Sequence, residues 1–332
     1  MSTVLGSLRR LALAPALSEV SFARRGFAGP PTPATARLEA IPRAVVCGFE
    51  WGIDARDLTE VRHRVELVDE GMRGFAYEGV TMAFTVLDAM GGGRRRRTRE
   101  LLLGPGAPHL FLAYIGIGFA MARLPRPLWR KVVPDLEPGP FHPTMTWLAV
   151  DGYGFDLAYF DAGKWVDEQR VPAPYAWQGR PDYFGRAVDQ GIGRALWFIH
   201  GARVDDVDAA VCRFAPERRA DLYSGVGLAA TFAGGCGAAD LATLRRRAGR
   251  YAPELALGSV FAMRARVHAG FVPPHSAVAA AALTDLSVQA AVALADDTAP
   301  GADDGGPNPP YEIWRTNIRR HFDDKTVHAS VE

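Results

Sequence analysis

The chain has 332 residues, of which 48% are hydrophobic and 23% are charged, and its formal net charge is +1. This composition predicts a globular protein with a sizeable core, and the near-neutral charge argues against a nucleic-acid binder, which usually carries a basic excess. Three cysteines without CxxC spacing argue against a disulfide framework or a structural zinc site, and no apolar run reaches the roughly 18 residues of a membrane span, so we expect a cytoplasmic protein.

Residues 1–37 are expected to form an N-terminal arm. The run "LALAPAL" follows two arginines and resembles a weak signal peptide. However, Pro15 interrupts the apolar run and charged residues follow it, which favours an amphipathic arm on the domain.

Residues 38–295 contain a short motif that recurs with a glycine at its centre. The aligned glycines are Gly79, Gly116, Gly152, Gly191, Gly225 and Gly258, which lie 33 to 39 residues apart, and Gly48 marks a degenerate first copy. A period in the mid-thirties is typical of stacked helical hairpins. The sequence therefore predicts an all-α protein of six or seven helical hairpins that form an α-solenoid or an α/α toroid.

The stretches between the glycines have apolar residues at three-to-four spacing, as in "LTEVRHRVELVDE" and "AADLATLRRRAGRYA", which predicts amphipathic helices. A glycine inside a helix costs about 1 kcal/mol relative to alanine, so we expect the repeated glycines to allow close helix packing.

The glycines in "VDGYGFDLAYF" at 150–160 also suggest a nucleotide-binding turn. Only Gly225, Gly227 and Ala230 fit the full GxGxxG/A pattern, and a charged helical stretch precedes them where a strand is needed. The helical repeat, unlike a nucleotide-binding turn, accounts for the glycines of all six copies.

Four segments depart from the repeat. The Pro-rich stretches 133–143 and 170–184 are predicted loops, either functional or simple spacers. The arginines at 94–97 form a solvated face or contact an anion or a carrier protein. Residues 296–332 are predicted to be a linker followed by a capping helix, "YEIWRTNIRRHF".

The repeat also predicts a site, because residues next to equivalent glycines should line one surface. We expect Glu78, Asp151 and Asp189 to act as general acids or bases in a cavity, since burial raises carboxyl pKa values. The aromatic residues expected to line that cavity and bind substrate are Tyr77, Tyr114, Tyr153 and Tyr223. Alternatively, the acids are caps or first-turn residues that interact with the helix dipole.

A second group of candidates lies in "RALWFIHGA", where Arg194, Trp197 and His200 follow at intervals of three and share one broad helix face. Arg194 and Trp197 would bind substrate and His200 would move a proton, unless the histidine is structural. Cys236 lies in a Gly-rich turn before a helix, where a thiol pKa can be lowered.

Long stretches, including "LEAIPRAVVCGFEWGID", "YIGIGFAMARLPRPLWRKV" and "DQGIGRALWFIHGA", together resemble the UnbL-type protein of enediyne polyketide gene cassettes, a domain of unknown function. The resemblance spans Leu38 to about Ala295. It implies a role in converting a linear polyketide polyene toward the enediyne core, beside a polyketide synthase, a thioesterase and a membrane partner. It implies no catalytic residues, cofactor or metal.

Two functions are therefore expected. In the first, the protein binds the polyene and helps to transform it, with the acids named above as acid/base groups. In the second, it is a non-catalytic helical-repeat scaffold that links the synthase, the thioesterase and the membrane partner, which would provide its only membrane contact. A closed aromatic pocket would favour the first function, and an open groove would favour the second.

Overall fold

The computed structural model describes residues 16–27, 31–91, 96–137, 139–301 and 307–329. The regular structure of these residues is entirely helical, which confirms the predicted all-α class. The expectations for residues 1–15, for Arg94 and Arg95, and for linker residues 302–306 lie outside the described residues.

After a four-residue helix at Phe22–Arg25, the longer helices are, in chain order, α1 (Pro33–Asp54), α2 (Leu58–Glu66), α3 (Glu70–Met90), α4 (Arg97–Leu103), α5 (Leu110–Met121), α6 (Trp147–Phe160), α7 (Pro181–Ile199), α8 (Val204–Arg213), α9 (Pro216–Ala233), α10 (Ala238–Ala248), α11 (Ala252–His268), α12 (Pro274–Thr284), α13 (Val288–Asp297) and α14 (Pro310–Ala329). Seven of them pack side by side in chain order, and we call these the core helices: α1, α3, α5, α6, α7, α9 and α11.

The connections between the core helices are of two kinds. Four contain a short helix, namely α2, α4, α8 or α10. The other two, 122–146 and 161–180, contain only short 3-10 or π-helical turns. These two connections contain most of the Pro-rich stretches that were predicted as loops, and the second ends where Pro181 begins α7.

The repeated glycines bring the backbones of neighbouring core helices into direct contact. A Cβ on Gly152 would lie 2.3 Å from the Ile115 carbonyl oxygen of α5, and one on Gly154 would lie 2.2 Å from the Val188 oxygen of α7. Residues two apart on a helix are rotated by about 200°, so each GxG pair offers one glycine to each neighbouring helix. The glycines of "VDGYGFDLAYF" therefore serve two-sided helix packing.

The row of core helices curves back on itself. Phe75 of α3 meets Phe232 of α9 edge to face, with ring centroids 5.6 Å apart. Arg266 of α11 donates a 3.4 Å hydrogen bond to the Gly71 carbonyl of α3. Leu38 of α1 packs close to Gly235, just after α9. Early and late core helices thus meet across the curve.

Residues 16–27 of the N-terminal arm pack against the core helices. The Tyr159 hydroxyl donates a 2.7 Å hydrogen bond to the Val20 carbonyl, and Arg25 donates a 2.9 Å bond to the Phe160 carbonyl. Val20, Phe22 and Phe27 are buried. The segment is part of the packed structure, and α1 begins at Pro33, a few residues before the end of the predicted arm.

The C-terminal helix α14 is joined to the core by a buried polar network. Arg315 is 1% exposed and donates to Asp221, Ser224 and Glu312 at 3.0 Å each. Glu312 also accepts from Tyr183 at 2.7 Å. Because every charge in this network has an opposite partner, α14 is a fixed part of the fold.

Within the described residues, no single helix is long and apolar enough to cross a membrane, although two bent helix pairs, α4 with Ala107–Met121 and α12 with α13, meet the length and composition requirements.

Candidate functional site

The concave side of the row encloses an aromatic cavity. It is bounded by α1, α3, α5, α6 and α7, and Val20 of the N-terminal segment contributes to its wall. The cavity itself has a volume of about 70 Å³, and the unfilled space rises to about 660 Å³ when the solvent in its open mouth is included. Its aromatic residues are Phe49, Phe75, Phe119, Phe155, Tyr159, Phe160 and Phe198. Such walls favour an apolar ligand.

Glu78 brings a carboxyl group to this apolar cavity. It lies in the middle of α3 and is 3% exposed, and its carboxyl group has no hydrogen-bond partner in the part of the chain that the structure describes. Burial raises the pKa of Glu78 to about 8; Arg194 opposes this rise and Asp151 adds to it. The group is therefore a carboxylic acid at neutral pH and can donate a proton.

Arg194 and Asp151 form a buried ion pair beside Glu78. The Arg194 Nε donates to Asp151 Oδ1 at 2.6 Å, and the two residues are 7% and 1% exposed. The guanidinium also lies over the Phe155 ring, 5.0 Å from its centroid. Burial raises the pKa of Asp151 while Arg194 lowers it. With Asp151 ionised and Glu78 protonated, the three groups together have no net charge, and this is the arrangement of lowest electrostatic free energy in an apolar site.

The Nη2 of Arg194 remains unsatisfied. This atom is buried and has no hydrogen-bond partner among the described residues. A buried donor without a partner costs free energy, and Arg194 lines the cavity. The guanidinium can therefore still hydrogen-bond to a ligand acceptor such as a carbonyl oxygen.

A second ion pair in the cavity wall was missed by the sequence analysis. Arg123 Nη1 donates to Asp156 Oδ2 at 2.5 Å, and the Arg123 side chain is 29% exposed. Burial raises the pKa of Asp156 and Arg123 opposes that rise. The signal in the sequence was an acid inside the apolar helical run "GFDLAYF", since a buried acid needs a partner.

Glu78 and Asp151 are not helix caps. Glu78 is the ninth residue of α3 and Asp151 is the fifth of α6, so the capping alternative was wrong for both. Asp189 lies away from the cavity lining, where Arg218 binds it with Nη2 at 2.6 Å and Nε at 3.0 Å. Burial raises the pKa of Asp189 to about 6, although Arg218 lowers it. Of the three acids expected to converge, only Glu78 and Asp151 lie close together, and Asp189 does not join them.

The predicted tyrosines do not line this cavity, so the expectation of a tyrosine wall was wrong. Tyr77 stacks on His109 and Tyr153 packs against Trp129. Tyr114 hydrogen-bonds His142 at 3.1 Å, and Tyr223 donates to Asp208 at 2.6 Å. Adjacent helix residues point about 100° apart, so a tyrosine next to an inward acid faces elsewhere.

The aromatic residues that do line the cavity lie three or four residues from the polar ones. Phe75 is three residues before Glu78, Phe155 is four after Asp151, and Phe198 is four after Arg194. Residues at these spacings share a helix face. This relation is the signal that the sequence analysis did not use.

Trp197 and His200 also lie outside the cavity lining. Trp197 Nε1 donates a 2.7 Å hydrogen bond to the Gly234 carbonyl and is fully buried. His200 ends α7, and burial lowers the pKa of its imidazole. Arg194, Trp197 and His200 therefore do not share one surface, and only Arg194 lines the cavity.

Two further expectations concern metals and thiols. The described residues hold no group of three or more His, Cys, Asp or Glu side chains that could bind a metal ion. Burial raises the pKa of Cys236 to about 12, and Asp240 adds to the rise. The expected lowering of this thiol pKa was wrong, because the desolvation of the thiolate dominates.

A family model described as "Protein of unknown function (DUF1702)" matches residues 4–322. The chain belongs to this family. The match includes the N-terminal segment that covers the cavity and most of α14, so the family extends beyond the repeat itself. No curated protein matched the chain, and no solved structure matched it either.

Proposed function

We propose that the protein binds an elongated, apolar, conjugated chain in the aromatic cavity and transfers a proton to or from it through Glu78. The observation that carries the proposal is the neutral Glu78 carboxyl, without a hydrogen-bond partner among the described residues, in a wall of aromatic rings. An unpaired acid in such surroundings has a pKa suited to general acid catalysis.

The aromatic walls of the cavity indicate the class of ligand. Flat aromatic rings match a rigid, flat hydrocarbon, and the Arg194 Nη2 provides one further donor for an oxygen atom. The resemblance to enediyne cassette proteins supplies a candidate of this kind, the linear polyketide polyene. Our proposed role is thus an accessory step in enediyne biosynthesis.

The proposed chemistry is a proton exchange on the conjugated chain. Glu78 donates its proton to one carbon, the positive charge spreads along the double bonds, and the carboxylate removes a proton from another carbon. The net result moves a double bond and consumes no other reactant. The Asp151–Arg194 pair keeps the site neutral before the transfer.

The binding step is tested with diphenylhexatriene, a neutral conjugated triene whose fluorescence rises in apolar surroundings. We expect saturable binding to the wild type and at least a tenfold loss in Met82→Trp, which fills the cavity. Met90→Trp is the matched control, because Met90 lies on the same helix and is 64% exposed. Equal binding by both variants would place the probe elsewhere and contradict the proposal.

The chemical step is tested by incubating the protein, in deuterated water, with linear polyene that was made by the synthase and thioesterase in ordinary water and then purified. We expect deuterium in the polyene product by mass spectrometry with the wild type and with Glu217→Gln, an exposed control. Glu78→Gln should leave diphenylhexatriene binding intact and abolish the incorporation. Incorporation that persists in Glu78→Gln would remove Glu78 from the mechanism.

The scaffold remains a second candidate because basic residues meet on the surface near α4. Arg96 and Arg97 line one surface pocket with Arg56, and Arg96 and Arg99 line another with Lys131. An acidic carrier domain would fit this surface. Replacement of the arginines at 94–97 by alanine should then abolish capture of the synthase, and unchanged capture would exclude this contact.

A further inference from the structure

A second pocket lies where the row of core helices curves back, and it contains a buried arginine without a carboxylate partner. The pocket is formed by the first turns of α3, the start of α5 and the ends of α9 and α11. Its own volume is about 70 Å³, and the unfilled space rises to about 500 Å³ when the solvent in its open mouth is included. Arg266 lines it and is 5% exposed. Within the described part of the chain, no acidic group forms a salt bridge with Arg266.

The bonds that Arg266 makes leave its charge uncompensated. Its Nη2 donates to the Phe232 carbonyl at 2.7 Å and its Nη1 to the Gly71 carbonyl at 3.4 Å. The Phe232 ring lies 3.7 Å from the guanidinium carbon. The Nε is buried and has no partner among the described residues. Burial lowers the pKa of Arg266 to about 9, as expected for a cation that lacks a counter-ion.

The surroundings of Arg266 carry a small positive charge. Arg73 also lines the pocket, and its side chain donates hydrogen bonds to the carbonyls of Glu66 and Val68. His109 is neutral at neutral pH, because burial lowers its pKa to about 4 and nearby Arg266 lowers it further. The exposed Glu70 is the one acid in the lining. Two arginines and one glutamate give the lining a net charge of +1, and Arg37 adds a further positive charge that acts on Arg266, so the pocket favours an anionic ligand.

The remaining walls of this pocket are apolar. They include Phe111, Leu112, Phe232 and Phe271. A ligand that satisfies both features has a negatively charged head and a short hydrocarbon part. We propose that this pocket binds the carboxylate of an apolar monocarboxylic acid, with the carboxylate paired to Arg266. The site is separate from the Glu78 cavity, so its test does not depend on the proposed function.

The test uses octanoate as the probe, with octanamide as its uncharged counterpart, in isothermal titration calorimetry of the full chain. We expect octanoate to bind at one site and octanamide to bind at least tenfold more weakly. Equal binding of the two, or no binding of octanoate, would overturn the proposal, because a role for the cation requires the charge.

The location is tested by Ala269→Leu, which places a larger side chain in the pocket while keeping Arg266. We expect at least a tenfold loss of octanoate affinity in this variant and none in the matched control Ala281→Leu, since Ala281 is exposed on α12. Arg266→Met should also lose binding, but Arg266 holds two carbonyl groups, so Ala269→Leu decides the matter if Arg266→Met does not fold. Wild-type affinity in Ala269→Leu would overturn the proposal.

The carboxylate could belong to a separate small acid or to the end of a longer chain that occupies the Glu78 cavity. Parinarate, a conjugated tetraene carboxylate, distinguishes these sources and should displace octanoate in either case. If it also displaces diphenylhexatriene at one equivalent, one long ligand occupies both sites. If it displaces octanoate alone, the pocket binds a separate acid. If it does not displace octanoate, the pocket does not recognise carboxylates as a class, and the proposal fails.

Discussion

Replacement of Gly191 by alanine tests the helix contact on which the whole architecture depends. A Cβ at this position would lie 1.9 Å from the Asp151 carbonyl oxygen and 2.6 Å from the Phe155 nitrogen, whereas real Cβ atoms essentially never come within 3.0 Å of such atoms. Helices α6 and α7 would therefore have to separate by about 1 Å, since both contacts are with backbone and neither can rotate away. Overpacking of this kind typically costs about 1–3 kcal/mol and sometimes more.

The same displacement would also disturb the site. Asp151 belongs to α6 and Arg194 to α7, and their ion pair is only 2.6 Å long. Separation of the helices stretches this pair in a buried setting, which adds to the packing cost. We therefore expect Gly191→Ala to lose about 3 kcal/mol or more of unfolding free energy.

The matched control is Gly185→Ala on the same helix. A Cβ there meets no atom within 4 Å, so the variant gains helix propensity and should be as stable as the wild type or up to about 1 kcal/mol more stable. Urea unfolding followed by circular dichroism at 222 nm measures both. If Gly191→Ala unfolds within about 0.5 kcal/mol of Gly185→Ala, the contact is not as close as described and the packing argument fails.

Three further predictions follow from the buried charges. First, burial raises the folded-state pKa of Glu78 to about 8 from 4.5, so the folded state binds this proton more tightly than the unfolded state does. The unfolding free energy of the wild type should therefore fall as pH rises from 5 to 8, by up to about 4 kcal/mol. In urea unfolding, Glu78→Gln should lack this part of the decline, and parallel pH curves for the two proteins would refute the assignment. Second, Arg194→Met leaves Asp151 buried without its cation and should lower the unfolding free energy by about 3–5 kcal/mol, whereas the double variant with Asp151→Leu should be more stable than Arg194→Met alone. Additive losses of unfolding free energy in this double-mutant cycle would mean that the pair is not coupled. Third, Arg315→Met should lose about 3 kcal/mol or more, because it removes the fully buried cation that pairs with both Asp221 and Glu312, whose remaining cations, Arg186 and Arg319, are more exposed. Arg320→Met on the exposed face of α14 should change the thermal midpoint little, and similar midpoints for both variants would show that α14 contributes little to the core.

The spacing of the repeated glycines was sufficient to predict the helical class and the close packing of the core helices. Glycine positions are readable because no other residue allows contacts of about 2 Å between a Cβ position and a carbonyl oxygen. The sequence also identified Glu78 and Arg194, which line the cavity, and Asp151, which pairs with Arg194. Glu78 and Asp151 were found because each precedes a repeat glycine, and Arg194 because of its position in "RALWFIHGA".

The errors concerning Asp189 and the tyrosines have one physical origin. The position of a residue in the repeat predicts which helix it belongs to, but the direction of the side chain rotates by about 100° from each residue to the next. Asp189 and Tyr77 each lie one position away from a residue at the aligned site, and both point elsewhere. The Arg266 pocket was not predictable either, because it depends on contacts between early and late helices that the repeat does not specify.

The glycine contacts also determine which part of the molecule can open. The Glu78 carbonyl oxygen would lie 2.2 Å from a Cβ on Gly116, and the Asp151 carbonyl oxygen would lie 1.9 Å from a Cβ on Gly191. Both acids therefore lie at close backbone contacts between core helices, and these helices cannot separate without losing the contacts. Residues 16–27, by contrast, contribute Val20 to the cavity wall and form only the short helical turns Leu17–Val20 and Phe22–Arg25. Displacement of this segment would enlarge the cavity while the glycine contacts stay intact, and amide hydrogens of residues 16–27 should exchange with solvent faster than those of α3 or α6.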